Sequence, residues 1–171
     1  TDESLQSAKV EVTITGTKGG AADYPDDLSA FTFRQLDMRD NPALEALAAE
    51  VPRLDVLVNN AGTTFRGAEA LLPENVEATI QINLNAVYRL SHALHPKLKD
   101  SGGAIVNIAS MTSYFGSPRV PGYGASKAAI LQLTKTLGAL WAPDGIRVNA
   151  IAPGWIDTKL TAPIQQIEAI E

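Results

Sequence analysis

The chain has 171 residues, 45% hydrophobic and 19% charged, values expected of a single globular domain over residues 1–171. Its net charge of −5 argues against nucleic acid or an anionic membrane surface as partner, and no basic run reverses that. Cysteine is absent, which excludes disulfides, thiol chemistry and cysteine-based metal sites, and suits a reducing cytoplasm.

No apolar stretch reaches the roughly 18 residues needed to span a bilayer. The first nine residues are polar and of mixed charge, unlike a signal peptide. The expectation is a cytoplasmic protein with no membrane partner.

Taken in chain order, residues 10–15 and 30–35 are strand candidates. A helix is predicted over Asn41–Glu50, opened by Asn41 as cap and Pro42 in the first turn. Residues 55–58 form an almost wholly apolar strand. A long helix follows over 73–99, with apolar residues at helical spacing. Residues 104–108 make a fourth strand, and an Ala/Leu-rich helix over 125–141 stops before the turn signal Pro143-Asp144-Gly145. Residues 146–151 make a fifth strand. Strands apolar on both faces, alternating with helices, predict an α/β fold: a Rossmann-like, doubly wound parallel sheet. Ligands of such sheets bind beyond the carboxyl ends of the strands.

Chemistry-bearing residues follow those ends. Tyr123 and Lys127 lie four apart at the start of the last helix, so they share one face. An ordinary tyrosine titrates near ~10, and a cation beside it favours the phenolate, as general acid–base work requires. Taken alone, such a pair is more often a solvent-facing accident. Here, however, Ser110 directly follows the fourth strand, and Asn59-Asn60-Ala61-Gly62 ends the third, with small residues that let a ligand approach the backbone. Asn83 sits among apolar neighbours within a helix, where its amide needs a buried partner. Asn149-Ala150-Ile151-Ala152-Pro153-Gly154 ends the fifth strand, followed by Trp155-Ile156-Asp157-Thr158.

Asn59-Asn60-Ala61-Gly62, Asn83, Ser110, Tyr123-x-x-x-Lys127 and Pro153-Gly154-x-x-x-Thr158 resemble the short-chain dehydrogenase/reductase family in order and spacing, over about residues 10–161. The single-domain 3-oxoacyl reductase-like members are the nearest in kind. The resemblance implies an NAD(P)-dependent oxidoreductase moving a hydride between nicotinamide and a ketone or secondary alcohol. It implies Tyr123 as proton donor or acceptor, and Lys127 lowering its pKa and holding the nicotinamide ribose. Ser110 would hydrogen-bond the substrate carbonyl, and Asn83 would anchor a water in the proton relay. Asn59, Ala61, Gly62, Pro153 and Gly154 would line the cofactor, with Ile156 and Thr158 at the carboxamide. No metal is implied.

Thr15-Gly16-Thr17-Lys18-Gly19-Gly20 looks like the glycine-rich turn that seats a pyrophosphate, but that reading fails. Residues 21–27 form no helix to receive phosphate. Too few residues separate Gly16 from Gly62 for a further strand–helix–strand unit as well. Residues 10–15 are therefore read as the second strand of the family's sheet. On this reading the first strand, its glycine loop and the C-terminal strand are missing, so the chain is expected to be either a fragment or the joined ordered parts of a longer chain, the second being favoured because a sheet centre left open should aggregate.

The second strand ends in Thr17-Lys18 with no carboxylate, so it favours the 2′-phosphate of NADP, NAD remaining possible. Asp37, ending the next strand with Met38 beside it, resembles the family's acceptor for the adenine amino group. Residues 111–115 and Trp155 should line an apolar pocket for a small carbonyl or alcohol substrate. His92 and His95 lack a third metal ligand and are read as exposed or interface residues. Glu45, Glu50, Glu69, Glu74 and Glu77 are read as solvated helix faces, and Asp55 as structural. Apolar surface on helices 73–99 and 125–141 points to a homo-oligomer, a tetramer or dimer. Competing readings are a sugar epimerase or dehydratase sharing Tyr-x-x-x-Lys, and a catalytically inactive fragment or binding protein that keeps the fold.

Overall fold

The computed structural model describes residues 10–156. Five short strands and four helices alternate: β1 (Thr13–Gly16), β2 (Thr32–Gln35), α1 (Asn41–Glu50), β3 (Val56–Asn59), α2 (Pro73–Ile80), α3 (Ala86–Ser101), β4 (Ala104–Ile108), α4 (Pro121–Trp141) and β5 (Arg147–Ile151). All pairings are parallel, as a strand–helix–strand pattern requires. The strands make a two-stranded sheet, β1–β2, and a three-stranded sheet, β3–β4–β5. One edge of β1 and one of β3 are unpaired by strands among the described residues. The Rossmann-like sheet is incomplete, as expected from the sequence.

The strands fall within or close to the predicted ranges, and the helices differ in instructive ways. The cap of α1 is Asp40 rather than Asn41: its side chain accepts from the Ala43 backbone N–H at 3.0 Å. The helix that begins Tyr123's turn starts at Pro121, not 125, because proline is well suited to a first helical turn. The predicted helix over 73–99 is two helices, α2 and α3, joined by a π-helical turn over Gln81–Asn85. Asn83 sits inside that turn, and its side chain is committed to groups outside the helix (below). α3 ends at Gly102, whose φ of 62° is the left-handed conformation that glycine adopts without strain.

Alternation within the strands shows where the core lies. Leu57, Ile105 and Val148 face the helices and join one cluster with Leu44 of α1, Leu90, Leu94 and Leu98 of α3, and Leu137 and Trp141 of α4. A second cluster of Val87, Ala109 and Ile130 lies nearer the carboxyl ends of the strands. The alternate residues Val56, Val58 and Ile151 are more than half exposed. The apolar character of both strand faces is therefore real, but among the described residues only one face carries helices.

A buried polar chain crosses this helical layer. The Asn59 amide donates to Ser91 Oγ (3.0 Å) and Asn107 Oδ1 (2.8 Å), and the Asn107 amide donates to Thr134 Oγ1 (2.9 Å). Thr134 in turn donates to the Ile130 carbonyl at 2.7 Å. β3, β4, α3 and α4 are thereby held in fixed register by groups that satisfy one another.

Candidate active site

The predicted catalytic residues gather at the carboxyl ends of β3, β4 and β5. Lys127 is buried on the first turns of α4, and its Nζ donates to the Ile108 carbonyl at the end of β4, 2.6 Å away. The same Nζ lies 5.7 Å from the centre of the Tyr123 ring. Burial lowers the Lys127 pKa to about 8, because a desolvated ammonium loses its hydration. The cation is thus held against the tyrosine face on which the four-residue spacing places it.

Asn83 is fully buried and spends its whole side chain on the site's walls. Its Oδ1 accepts from the Thr63 N–H (2.8 Å), and its amide donates to the Thr63 carbonyl (2.9 Å) and to Ser126 Oγ (3.1 Å). Ser126 donates to the Tyr123 carbonyl at 2.8 Å. The turn after β3 is therefore tied through Asn83 to the helix that carries Tyr123 and Lys127. A Cβ on Gly62 would lie 3.3 Å from Asn83 Oδ1 and 3.7 Å from Lys127 Nζ, so the missing side chain makes room where three elements meet. Ala61 beside it is exposed.

Ser110 caps the short 3-10 turn Met111–Ser113, its Oγ accepting from the Thr112 N–H (3.2 Å) and Oγ1 (3.0 Å). Pro153 accepts from the Met111 N–H at 2.9 Å, and Gly154 would bring a Cβ to 3.9 Å from Met111 Sδ. The Pro153-Gly154 segment thus lies beside the serine turn. Trp155 and Ile156 are exposed at its end, as are Tyr114 and Phe115. Thr158 lies outside the described residues.

Two residues predicted to contact the cofactor turn their side chains inward. The Asn59 side chain is turned into the helical layer, because β-strand alternation places it beside Asn107 and Ser91. The Met38 side chain is buried in the main core. Asp37 stands at the expected strand end but is clasped by Arg39, with Nε donating to Oδ1 at 3.0 Å and Nη2 to Oδ2 at 2.5 Å. That charged hydrogen bonding holds its carboxyl down at about 2. Thr17 is exposed, and its carbonyl accepts from Gln35 Nε2. Lys18 donates to the Asp23 carbonyl at 2.5 Å and lies over the Tyr24 ring. After Gly20 the chain makes only the short 3-10 turn Ala21–Asp23, in keeping with rejection of this stretch as a phosphate-binding loop.

His95, read as exposed or at an interface, is half-buried, packs on Trp141, and lies 2.9 Å from Asp144 Oδ2. Lys99 and His95 together hold the Asp144 carboxyl below its ordinary range. His92 is exposed and stacks on Tyr88. Glu45 is solvent-facing but paired with Arg89 of α3 at 2.8 Å. Among the described residues no three His, Cys, Asp or Glu side chains are close enough to share a metal, and no helix is long and apolar enough to cross a membrane.

Sequence reasoning missed Ser126, Thr63 and Thr112, which hold the site together, and Arg39. Ser126 had a legible signal: it lies beside Lys127, one turn after Tyr123. The others are set by loop geometry.

The group the resemblance implies, a nicotinamide dinucleotide, fits in part. Lys127, the Tyr123 face, the side-chain-free Gly62 and the Pro153-Gly154 segment offer a cation, a hydroxyl and close backbone approach, which suit a nicotinamide ribose. Among the described residues no helix follows a glycine-rich turn to seat the pyrophosphate.

Comparison with known proteins agrees with this geometry. A family profile described as short chain dehydrogenase matches residues 6–169. The chain is 44% identical over 143 residues to 2-dehydro-3-deoxy-D-gluconate 5-dehydrogenase of Bacillus subtilis, covering 81% of this chain and 56% of that protein. It is 38% identical over 128 residues to a 3-oxoacyl-acyl-carrier-protein reductase of Thermotoga maritima, covering 72% and 51%. Among solved structures, a gluconate 5-dehydrogenase of Burkholderia cenocepacia in complex with NADP and tartrate superposes with a TM-score of 0.74 at 32% identity, covering 81% and 57%. The chain spans about half the length of the curated relatives it matches. On its matched length, its motifs and its fold, it belongs to the short-chain dehydrogenase family.

Proposed function

We propose that the protein is an NADP-dependent oxidoreductase acting on a small carbonyl or secondary alcohol. The observation that carries this is the buried Lys127, held by the Ile108 carbonyl against the Tyr123 face. When bound, the nicotinamide accepts or supplies the hydride. Tyr123 gives its hydroxyl proton to the alkoxide oxygen that forms on a ketone, or takes one from an alcohol in reverse. Lys127 stabilises the phenolate left behind and holds the ribose. Ser110 donates to the substrate oxygen, which orients the reacting carbon. Asn83 fixes the turn after β3 against α4, which keeps the relay side of the site in place.

The NADP preference rests on Thr17 and Lys18 at the end of β1, and is supported by the NADP found in related structures. Relatives that oxidise or reduce sugar acids favour a hydroxy- or keto-acid substrate. Exposed Tyr88 and Leu140 on α3 and α4 support self-association through those helices. The decisive test is Tyr123→Phe in the full-length protein, which keeps the ring but removes the acid. Turnover should fall about 10²–10⁴-fold with cofactor affinity near wild type. Normal turnover would sink the mechanism, and cofactor binding without turnover in the wild type would favour a binding protein that keeps the fold.

A further inference from the structure

We infer that Gly122 is a positioning residue, one whose missing side chain lets the first turn of α4 seat against α2 and so sets where the Tyr123 hydroxyl lies. The inference rests on the role given to Tyr123 above. Gly122 is buried at the start of α4. A Cβ there would lie 3.0 Å from the Val76 Cα and 3.4 Å from both its Cβ and Cγ1. The nearest of these atoms is backbone, so no side-chain rotation relieves the contact.

Nothing in the backbone itself asks for glycine. Gly122 is helical, and the glycines with positive φ are Gly67, Gly102 and Gly145. Alanine is the better helix former, so the sequence forgoes helix propensity at this position, and what it gains is close approach. Phe65, Ala70, Thr79, Val120 and Tyr123 line the surface beside this contact and leave no room for a water molecule there. An added methyl must therefore push the first turn of α4 away from α2.

That push would fall unevenly on the site. One turn further on, Lys127 is anchored by the Ile108 carbonyl and Ser126 by Asn83. Tyr123 is the next residue after Gly122 and moves with the displaced turn. Its hydroxyl would shift relative to a lysine and a serine that stay in place. A displacement of this kind costs rate, because proton transfer requires close alignment, while the ribose-holding lysine keeps its cofactor contact.

Gly124, two residues on, serves as control, since a Cβ there meets only the Thr112 carbonyl at 3.6 Å, an ordinary contact. The experiment measures kcat with an accepted ketone, cofactor affinity by nicotinamide fluorescence, and thermal melting, on full-length Gly122→Ala, Gly122→Val, Gly124→Ala and Tyr123→Phe. Expected are losses in kcat of about tenfold for Gly122→Ala and about 10²-fold for Gly122→Val, cofactor affinity within about twofold of wild type, and Gly124→Ala unchanged. Wild-type kcat in Gly122→Ala would overturn the inference, as would a loss that tracks cofactor affinity. If Gly122→Val fails to fold, Gly122→Ala decides. If Tyr123→Phe turns over normally, the role of Tyr123 itself fails; if it is inactive while both Gly122 variants are normal, only the positioning role fails.

Discussion

Replacing Lys127 by methionine keeps the length and packing of the side chain and removes its charge. Lys127 is 5% exposed, and burial lowers its pKa from 10.5 to about 8. At about 1.4 kcal/mol per tenfold, that fall corresponds to roughly 3 kcal/mol of folding free energy spent on keeping the ammonium buried. The Ile108 carbonyl, 2.6 Å away, favours the charged form, so this figure is a ceiling. The sign follows from proton counting. Below pH 8 folded and unfolded chains both carry the proton, and the folded state bears the full cost. Between pH 8 and 10.5 the unfolded chain binds more protons, so stability contributed by this site rises with pH. Above 10.5 the cost is gone. Unfolding free energies from urea titration should therefore show wild type gaining on Lys127→Met by up to about 3 kcal/mol between pH 7 and pH 10.5. Groups away from Lys127 titrate alike in both proteins and cancel, and carrying Tyr123→Phe in both removes the neighbouring phenol that would not. A difference that stayed constant across that range would refute a desolvated cation at 127. Catalysis should be lost in the variant at every pH.

Asn107→Leu should destabilise the fold by about 1–3 kcal/mol, because one N–H of the Asn59 amide loses its acceptor while Thr134 keeps the Ile130 carbonyl; denaturant unfolding would show it, and a neutral result would mean the polar chain is replaceable. Leu98→Ala, fully buried in the main cluster, should cost about 2–5 kcal/mol by the same assay. Lys18→Asp should shift the ratio of catalytic efficiencies from NADP toward NAD, since a carboxylate repels a 2′-phosphate; an unmoved ratio would make Lys18 simply the partner of Asp23 and Tyr24.

The fold was legible because it depends on local, periodic information. Apolar strands punctuated by helices dictate parallel pairing, and Tyr123, Lys127, Ser110 and Asn83 follow the strand ends that a parallel sheet presents to a ligand. Asn83 stood out as a buried polar group, and the structure supplies its partners in Thr63 and Ser126. Side-chain direction was not legible for Asn59 and Met38, because a residue in a ligand-facing motif can still point into the core; strand alternation around Asn107 and packing against α1 decided it. The break between α2 and α3 was hidden because a π-helical turn keeps the apolar spacing nearly helical. Arg39 claims Asp37 from two residues away, a contact fixed by turn geometry rather than by pattern. Gly122 read as an ordinary small residue, since its meaning lies in Val76, which is 46 positions away in the chain and was brought to it by the tertiary fold alone. Periodicity thus determined the architecture, and motif order and spacing the family the chain resembles, while long-range packing decided which atoms of those residues face the site.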